Sequence, residues 1–231
     1  MMRDLGHHAI VAILVLAGVC TTTHAADKLF PAPAGMKLVY SHDFQDRQSD
    51  LYQPTDPTAW KLSQQDEQIS IALVKRNSDF KPPHRSPLNR NLIQDLKLKS
   101  FVMDIRMQST ILDYPHRDLC LFFGYQDDAH LYYVHFGKRM DDHANQIFIV
   151  NDAPRTKIST STTEGIPWTD EWHQARIERL AESGEIRVYF DDLTKPVMTA
   201  KDTTFAEGLV GFGSFDDTGN FDDIRIYVPQ P

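Results

Sequence analysis

Between Tyr132 and Val150 the chain reads YYVHFGKRMDDHANQIFIV, a stretch that alternates like a sheet strand yet carries two histidines, Lys138, Arg139, paired aspartates, Asn145 and Gln146. His116, Arg117 and Asp118 stand shortly before it, followed by His130. Histidine changes charge near neutrality, so a cluster of this kind suits proton transfer. Arginine and amide side chains can hold an anion beside it, and tyrosine can give or take a proton. The candidate reacting set is therefore His135, Tyr133 and Arg106. Asp104, Gln108, His84, Arg85, His116, Arg117, Lys138, His143, Asn145 and Gln146 are the candidates for binding a ligand around it. A plainer reading stands beside this one. Asp127, Asp128, Asp141 and Asp142 suit hairpin turns for backbone reasons, and Asp104 with Arg106 could be a cross-strand salt bridge on a solvated face.

Residues that act together must share a surface, and in a strand alternate side chains do so. In FVMDIRMQ, Phe101, Met103, Ile105 and Met107 form an apolar face, leaving Val102, Asp104, Arg106 and Gln108 on the other. In YYVHF the apolar set is Tyr132, Val134 and Phe136, so Tyr133 and His135 point away from the core. The expectation is one open surface shared by the alternate positions from Asp104 and from Tyr133, with Gln146 beside them. The loop NSDFKPPHRSPLNRN, Asn77 to Asn91, would close over it with His84 and Arg85. Trp168, next to Pro167, is the ring expected to stack on a ligand, whereas Trp60 and Trp172 are expected in the core.

The positioning elements are strands. Runs such as KLVYSHDF, ISIALVK, DLCLFFGY, HQARIERL, EIRVYFDD and FDDIRIYV recur between turn-forming pairs, and no stretch shows a long apolar period of 3.6. The fold class is all-β, a two-sheet antiparallel jelly-roll sandwich with almost no helix. Arg3, the apolar run Ala9 to Val19 and Thr23-His24-Ala25 read as a signal peptide over residues 1–25, too short to span a bilayer. One domain, 26–231, follows, and the chain is expected to be secreted or periplasmic, with no membrane span once the leader is removed. The net charge of −8 argues by bulk field against nucleic acid as a partner. Of the two cysteines Cys20 leaves with the leader, so Cys120, within LCLFF, has no disulfide partner and packs as a small apolar group. His130 and His135 are not at helix spacing and neither a His-Glu-x-x-His nor a Cys-x-x-Cys motif occurs, so zinc finds little support in the sequence.

Trp172-His173, then Ile186 to Asp192, Gly208 to Ser214 and Phe221 to Ile226, form a series of short elements ending in FDDIRI. This series resembles the concanavalin A-like lectin and glucanase superfamily. The resemblance extends weakly to LVYSHDF near the other end of the domain. It implies a jelly roll whose curved face binds or cleaves saccharides, with carbohydrate as the partner. The Glu-x-Asp-x-x-Glu strand of its laminarinase-type hydrolases is absent, as are the Asn-Ser-Gly and Glu-x-Gln segments of the 3-keto-disaccharide hydrolase domain. Alginate lyases of this fold use Arg, Gln, His and Tyr, and the types at Arg106, Gln146, His135 and Tyr133 are similar. Three alternatives therefore stand: a glycan-binding face that also cleaves by lyase-like chemistry, a non-catalytic carbohydrate-binding or adhesion module, or an envelope protein whose polar face serves a protein partner. The resemblance also implies a structural Ca²⁺ between first and last strands, at Asp43, Asp222 and Asp223, whose oxygen ligands suit that ion. An Asp-rich turn capping itself explains the same residues.

Overall fold

Period-2 alternation and closely spaced turn residues produce sixteen strands in the computed structural model, which describes residues 29–230. The leader assigned to residues 1–25 lies outside the described residues. In chain order the strands are β1 (Met36–His42), β2 (Tyr52–Pro54), β3 (Trp60–Gln65), β4 (Gln68–Leu73), β5 (Asn89–Leu98), β6 (Phe101–Ser109), β7 (Cys120–Asp127) and β8 (His130–His135). They continue as β9 (Gln146–Asn151), β10 (Thr156–Lys157), β11 (Ser159–Thr162), β12 (His173–Leu180), β13 (Glu185–Phe190), β14 (Met198–Lys201), β15 (Gly208–Ser214) and β16 (Gly219–Pro229). One 3₁₀ turn, Pro57–Ala59, is started by Asp56, whose carboxylate accepts from the Thr58 N–H.

The strands form two antiparallel sheets packed as a sandwich. The nine-stranded sheet runs β11-β14-β13-β12-β6-β16-β4-β3, with β1 also paired to β16; the seven-stranded sheet runs β10-β9-β8-β7-β15-β5-β2. Between them lie Met103, Ile105 and Met107 of β6, Ile177 of β12 and Ile226 of β16, facing Leu121 and Phe123 of β7, Val134 of β8 and Phe212 of β15. The alternation read in β6 and β8 is thus the alternation observed.

What differs is the company these strands keep. β6 belongs to the nine-stranded sheet and β8 to the seven-stranded one, because the chain from Thr110 to Leu119 crosses between layers. Asp104, Arg106 and Gln108 therefore emerge on one side of the sandwich, and Tyr133, His135 and Gln146 on the other. The expected common surface does not exist.

The seven-stranded sheet is apolar on both faces. Its outer face carries Leu92, Cys120, Phe122, Leu131, Tyr133, Phe148 and Val150, all buried, with Tyr125, Leu209 and Phe215 packed against them. Such a face must be covered to stay out of water. Part of the cover is the proline-rich loop predicted to overlie a site. Its Leu88 N–H donates to Phe215 O at 3.1 Å, and the Arg155 N–H donates to Arg85 O at 3.2 Å.

Candidate functional site

Asp118 and Cys120 are two residues apart in extended chain, so their side chains leave on the same side. Cys120 lies directly opposite His135 in the β7–β8 ladder, and His135 opposite Gln146 in the β8–β9 ladder. The next row of the same face is Phe122, Tyr133 and Phe148. The face is thus a polar row at one end of an aromatic floor, with Tyr133 and Phe148 stacked at 5.0 Å. Gly137 lets the following turn close on His135, since a Cβ there would meet Asn145 N at 2.7 Å and His135 Nδ1 at 3.2 Å.

Over the polar row opens a pocket of about 260 Å³ lined by Arg76, Arg85, Tyr114, His116, Asp118, His135, His143, Arg155, Phe215 and Asp216. Arg155 stacks 4.2 Å above the Phe215 ring and 4.9 Å from Phe148, and donates to the Tyr133 hydroxyl at 3.0 Å. Arg85 stands 5.5 Å from the Phe215 ring. Among the described residues neither Arg85 nor Arg155 has a carboxylate partner, whereas Arg76 is 3.4 Å from Asp217.

The acids at the floor are satisfied from within. Asp118 accepts from the Phe215 N–H at 3.0 Å and from Ser214 Oγ at 3.3 Å, while its own N–H donates to Asp217 at 2.9 Å. Asp217 also accepts from the Tyr114 hydroxyl at 2.7 Å. Burial, aided by the neighbouring Asp217 charge, pushes the Asp118 carboxyl up to about 8. Burial, aided by the Arg155 and His116 charges, pushes His135 down to about 3. His135 Nε2 lies 3.5 Å from Asp118 Oδ2, so near pH 7 this is a neutral acid beside a neutral imidazole. Burial likewise raises Cys120 and Tyr133, leaving both protonated.

The structure brings together His135, His116, His143 and Arg85 in this pocket, with Gln146 beside them, its Nε2 donating to Asp141 O at 3.0 Å. Other candidates fall elsewhere. Arg106 pairs with Asp223 at 3.2 Å and stacks 5.1 Å from the Trp172 ring on the far sheet, a surface cross-strand contact. Asp104 holds Arg176 through two bonds of 2.6 and 2.7 Å, and Gln108 bridges Asn220 and Asp170 O at 2.8 Å each. Arg117 points opposite to Asp118 and is 1% exposed, clamping Ser109, Thr169 O and Asp170. Asn145 is buried at positive φ, tying down Thr162 and Thr163 O. Lys138 pairs with Asp113, and His84 caps Ser86 with its carbonyl. Trp168 is buried rather than open, its Nε1 donating to Phe136 O at 2.7 Å, and Trp172 is the half-exposed ring instead. Tyr133 faces away from the main core as expected but is fully covered.

The residues read for Ca²⁺ have these surroundings: Asp222 accepts from Gln68 Nε2 at 2.6 Å, Asp223 pairs with Arg106, and Asp43 accepts from the Gln45 N–H at 3.2 Å. Among the described residues, the groups of acids, histidine and cysteine close enough to share an ion are Asp118-Cys120-His135 and Asp118-Asp216-Asp217, and neither includes them.

The sequence pattern did not assign Arg155, Phe215, Tyr114 or Arg76 to a site, and Asp216 stood out only as one of the oxygen ligands of an Asp-rich loop. Arg155 lies past the end of β9 and Phe215 past the end of β15, more than fifty residues apart in sequence, so no local pattern joins them. The Cys120 to His135 pairing had half a signal: two apolar runs around the turn at Asp127 to Ala129 read as a hairpin, but the register shift between Phe123 and Asp127 is what sets Cys120 opposite His135 rather than Gly137.

No family model matches the chain, and no curated protein matches it. Solved structures share its fold. Domain 4 of AbnA, an extracellular GH43 arabinanase from Geobacillus stearothermophilus in complex with arabinotriose, aligns with a TM-score of 0.55 at 11% identity, covering 84% of this chain and 94% of that one. The carbohydrate binding module CBM66 from Bacillus subtilis gives 0.53 at 16% identity, covering 77% and 96%. A protein of unknown function with a galectin-like fold, from Bacillus subtilis, gives 0.54 at 10% identity, covering 84% and 100%. What is shared at these identities is the fold, a two-sheet antiparallel jelly-roll sandwich.

Proposed function

We propose that the protein binds carbohydrate, and that its ligand is an acidic sugar residue held in the pocket on the outer face of the seven-stranded sheet. The observation that carries this reading is the pair Arg85 and Arg155, two guanidinium groups over Phe215 without carboxylate partners, in a chain whose net charge is −8. Guanidinium matches a carboxylate with two parallel hydrogen bonds, and His116 and His143 add donors at the rim. The pocket is smaller than the roughly 300–1,000 Å³ of drug-sized sites, which suits one sugar residue better than a chain lying along a groove. The carbohydrate-binding names among the structural neighbours support the same class of ligand.

Binding is favoured over cleavage. Arg106 is on the other sheet, Tyr133 is wholly buried with its hydroxyl engaged by Arg155, and His135, held down to about 3, is a weak base. Export to the periplasm or beyond, by way of the leader read at residues 1–25, belongs to the same reading.

Calorimetry with uronate-containing oligosaccharides and their neutral counterparts tests it. Arg155→Ala is expected to weaken uronate binding about 10-fold or more, the value of a lost charge-assisted hydrogen bond, while Arg106→Ala leaves it unchanged and no unsaturated product absorbs. Equal affinity for neutral sugars, or equal losses in the two variants, would reject the assignment.

A further inference from the structure

We infer that Asp118, Cys120 and His135 form a binding site for a zinc-like divalent transition metal beneath the pocket. One thiol, one imidazole and one carboxylate make a mixed sulfur, nitrogen and oxygen set, which suits zinc and not the all-oxygen shells of calcium or magnesium. Their ligand atoms all lie within 4.8 Å of one another. Two edges of the set are resolved individually: Cys120 Sγ to Asp118 Oδ2 is 3.4 Å, and His135 Nε2 to Asp118 Oδ2 is 3.5 Å. Tetrahedral zinc with bonds of about 2.0–2.3 Å separates neighbouring ligand atoms by about 3.4–3.6 Å. The two edges that meet at Asp118 therefore stand at the spacing the ion requires, and the third, His135 to Cys120, is within 4.8 Å.

The positions follow from the ladder. Asp118, two residues before the start of β7, and Cys120 alternate onto one face of the chain, and His135 is the cross-strand partner of Cys120. No linear zinc motif is needed, because the hairpin supplies the spacing. Asp118 is also held from outside. The Phe215 N–H and Ser214 Oγ fix the Asp118 carboxylate, as supporting hydrogen bonds do for metal-bound acids. His135, 5% exposed, has no hydrogen-bond partner at Nδ1, and its Nε2 is turned to Asp118. Asp118 and His135 line the pocket, which gives the ion an entrance. Three protein ligands leave one position open to the pocket, for water or for an oxygen of the bound ligand. Binding displaces two protons to solvent, one from Cys120 as the metal–sulfur bond forms and one from the Asp118 carboxyl as the metal–oxygen bond forms. The neighbouring Asp118-Asp216-Asp217 group does not compete, since Asp217 is taken up by Tyr114, Arg76 and the Asp118 N–H.

This site stands whether or not the pocket takes a sugar, and its test uses no glycan. The purified protein is stripped with a chelator, kept reduced and titrated with Co²⁺. The expected result is one ion per chain, with a thiolate-to-cobalt charge-transfer band in the near ultraviolet and intense visible bands of four-coordinate cobalt, both erased by Zn²⁺. Cys120→Ser, checked for folding by circular dichroism, is expected to lose the charge-transfer band and to weaken Zn²⁺ binding by more than the roughly 10–100-fold that a merely supporting residue costs. His135→Ala, which keeps the thiol, should lose affinity comparably. A wild-type protein that shows no charge-transfer band at saturating Co²⁺ overturns the inference, as does an unchanged band in Cys120→Ser. If neither variant folds, the wild-type spectrum decides alone.

Discussion

Asp104→Ala is expected to lower the free energy of unfolding by about 3–5 kcal/mol, far more than removal of a surface salt bridge. Asp104 and Arg176 face outward from the nine-stranded sheet but are 6% and 4% exposed, so neither charge is cushioned by water. Burial raises the Asp104 carboxyl above its ordinary range, and Arg176 pulls it back only in part. Alanine at 104 would leave Arg176 with the Pro31 carbonyl at 2.8 Å and the Phe30 ring at 5.4 Å as contacts, a buried cation whose remaining carboxylate, Glu178, acts without a hydrogen bond to it. Taking two charges out of water costs nearly what their attraction returns, so Asp104→Leu with Arg176→Met is expected to recover most of the loss. Urea unfolding of the single and double variants measures this. A double variant as unstable as Asp104→Ala would show that the pair contributes net stability, contrary to the argument.

The same pair shows what was legible in the sequence and what was not. Alternation in FVMDIRMQ correctly put Asp104 and Arg106 outside and Met103, Ile105 and Met107 inside, because side-chain period is a local property of extended chain. Which sheet receives the strand is not local. β6 pairs with β12 and β16, more than sixty residues further along, and that choice separated Arg106 from His135 by the whole thickness of the sandwich. The glycine-rich closing elements and the missing helical period sufficed for a jelly roll, since many sequences share those constraints. Trp168 misled because a proline-flanked tryptophan looks like an exposed loop ring, whereas its Nε1 found a buried carbonyl at Phe136 O. Arg85, His116, His135 and His143 were named as candidates and do converge, while Arg155 and Phe215 were invisible, because only the folded ladder brings β10 and the end of β15 to the same pocket.

The pH dependence of stability is expected to report the Asp118–His135 pair directly, in protein kept metal-free with a chelator. Native Asp118, pushed up to about 8 chiefly by burial, keeps its proton from about pH 4 to 8, where the unfolded carboxyl has lost it. The native state then binds one proton more, so stability falls with rising pH across that window by about 1.4 kcal/mol per unit. Native His135, held down to about 3, lacks between pH 3 and 6.5 a proton that the unfolded imidazole carries, so its contribution rises with pH there. From about pH 4 to 6.5 the two differences cancel. Above 6.5 only the Asp118 decline remains, and by pH 8 it amounts to about 2 kcal/mol, the product of 1.5 units and one proton. Asp222, pushed up to about 7 by burial, titrates in the same region, so the wild-type curve alone is not diagnostic. The difference from Asp118→Asn is. That variant should keep the histidine-linked rise between pH 3 and 6.5 and lose the Asp118 share of the decline between 6.5 and 8, and urea midpoints at half-unit intervals would show it. Curves that run parallel from pH 6.5 to 8 would mean that Asp118 is already ionised in the folded protein, and that the floor of the pocket is charged rather than neutral.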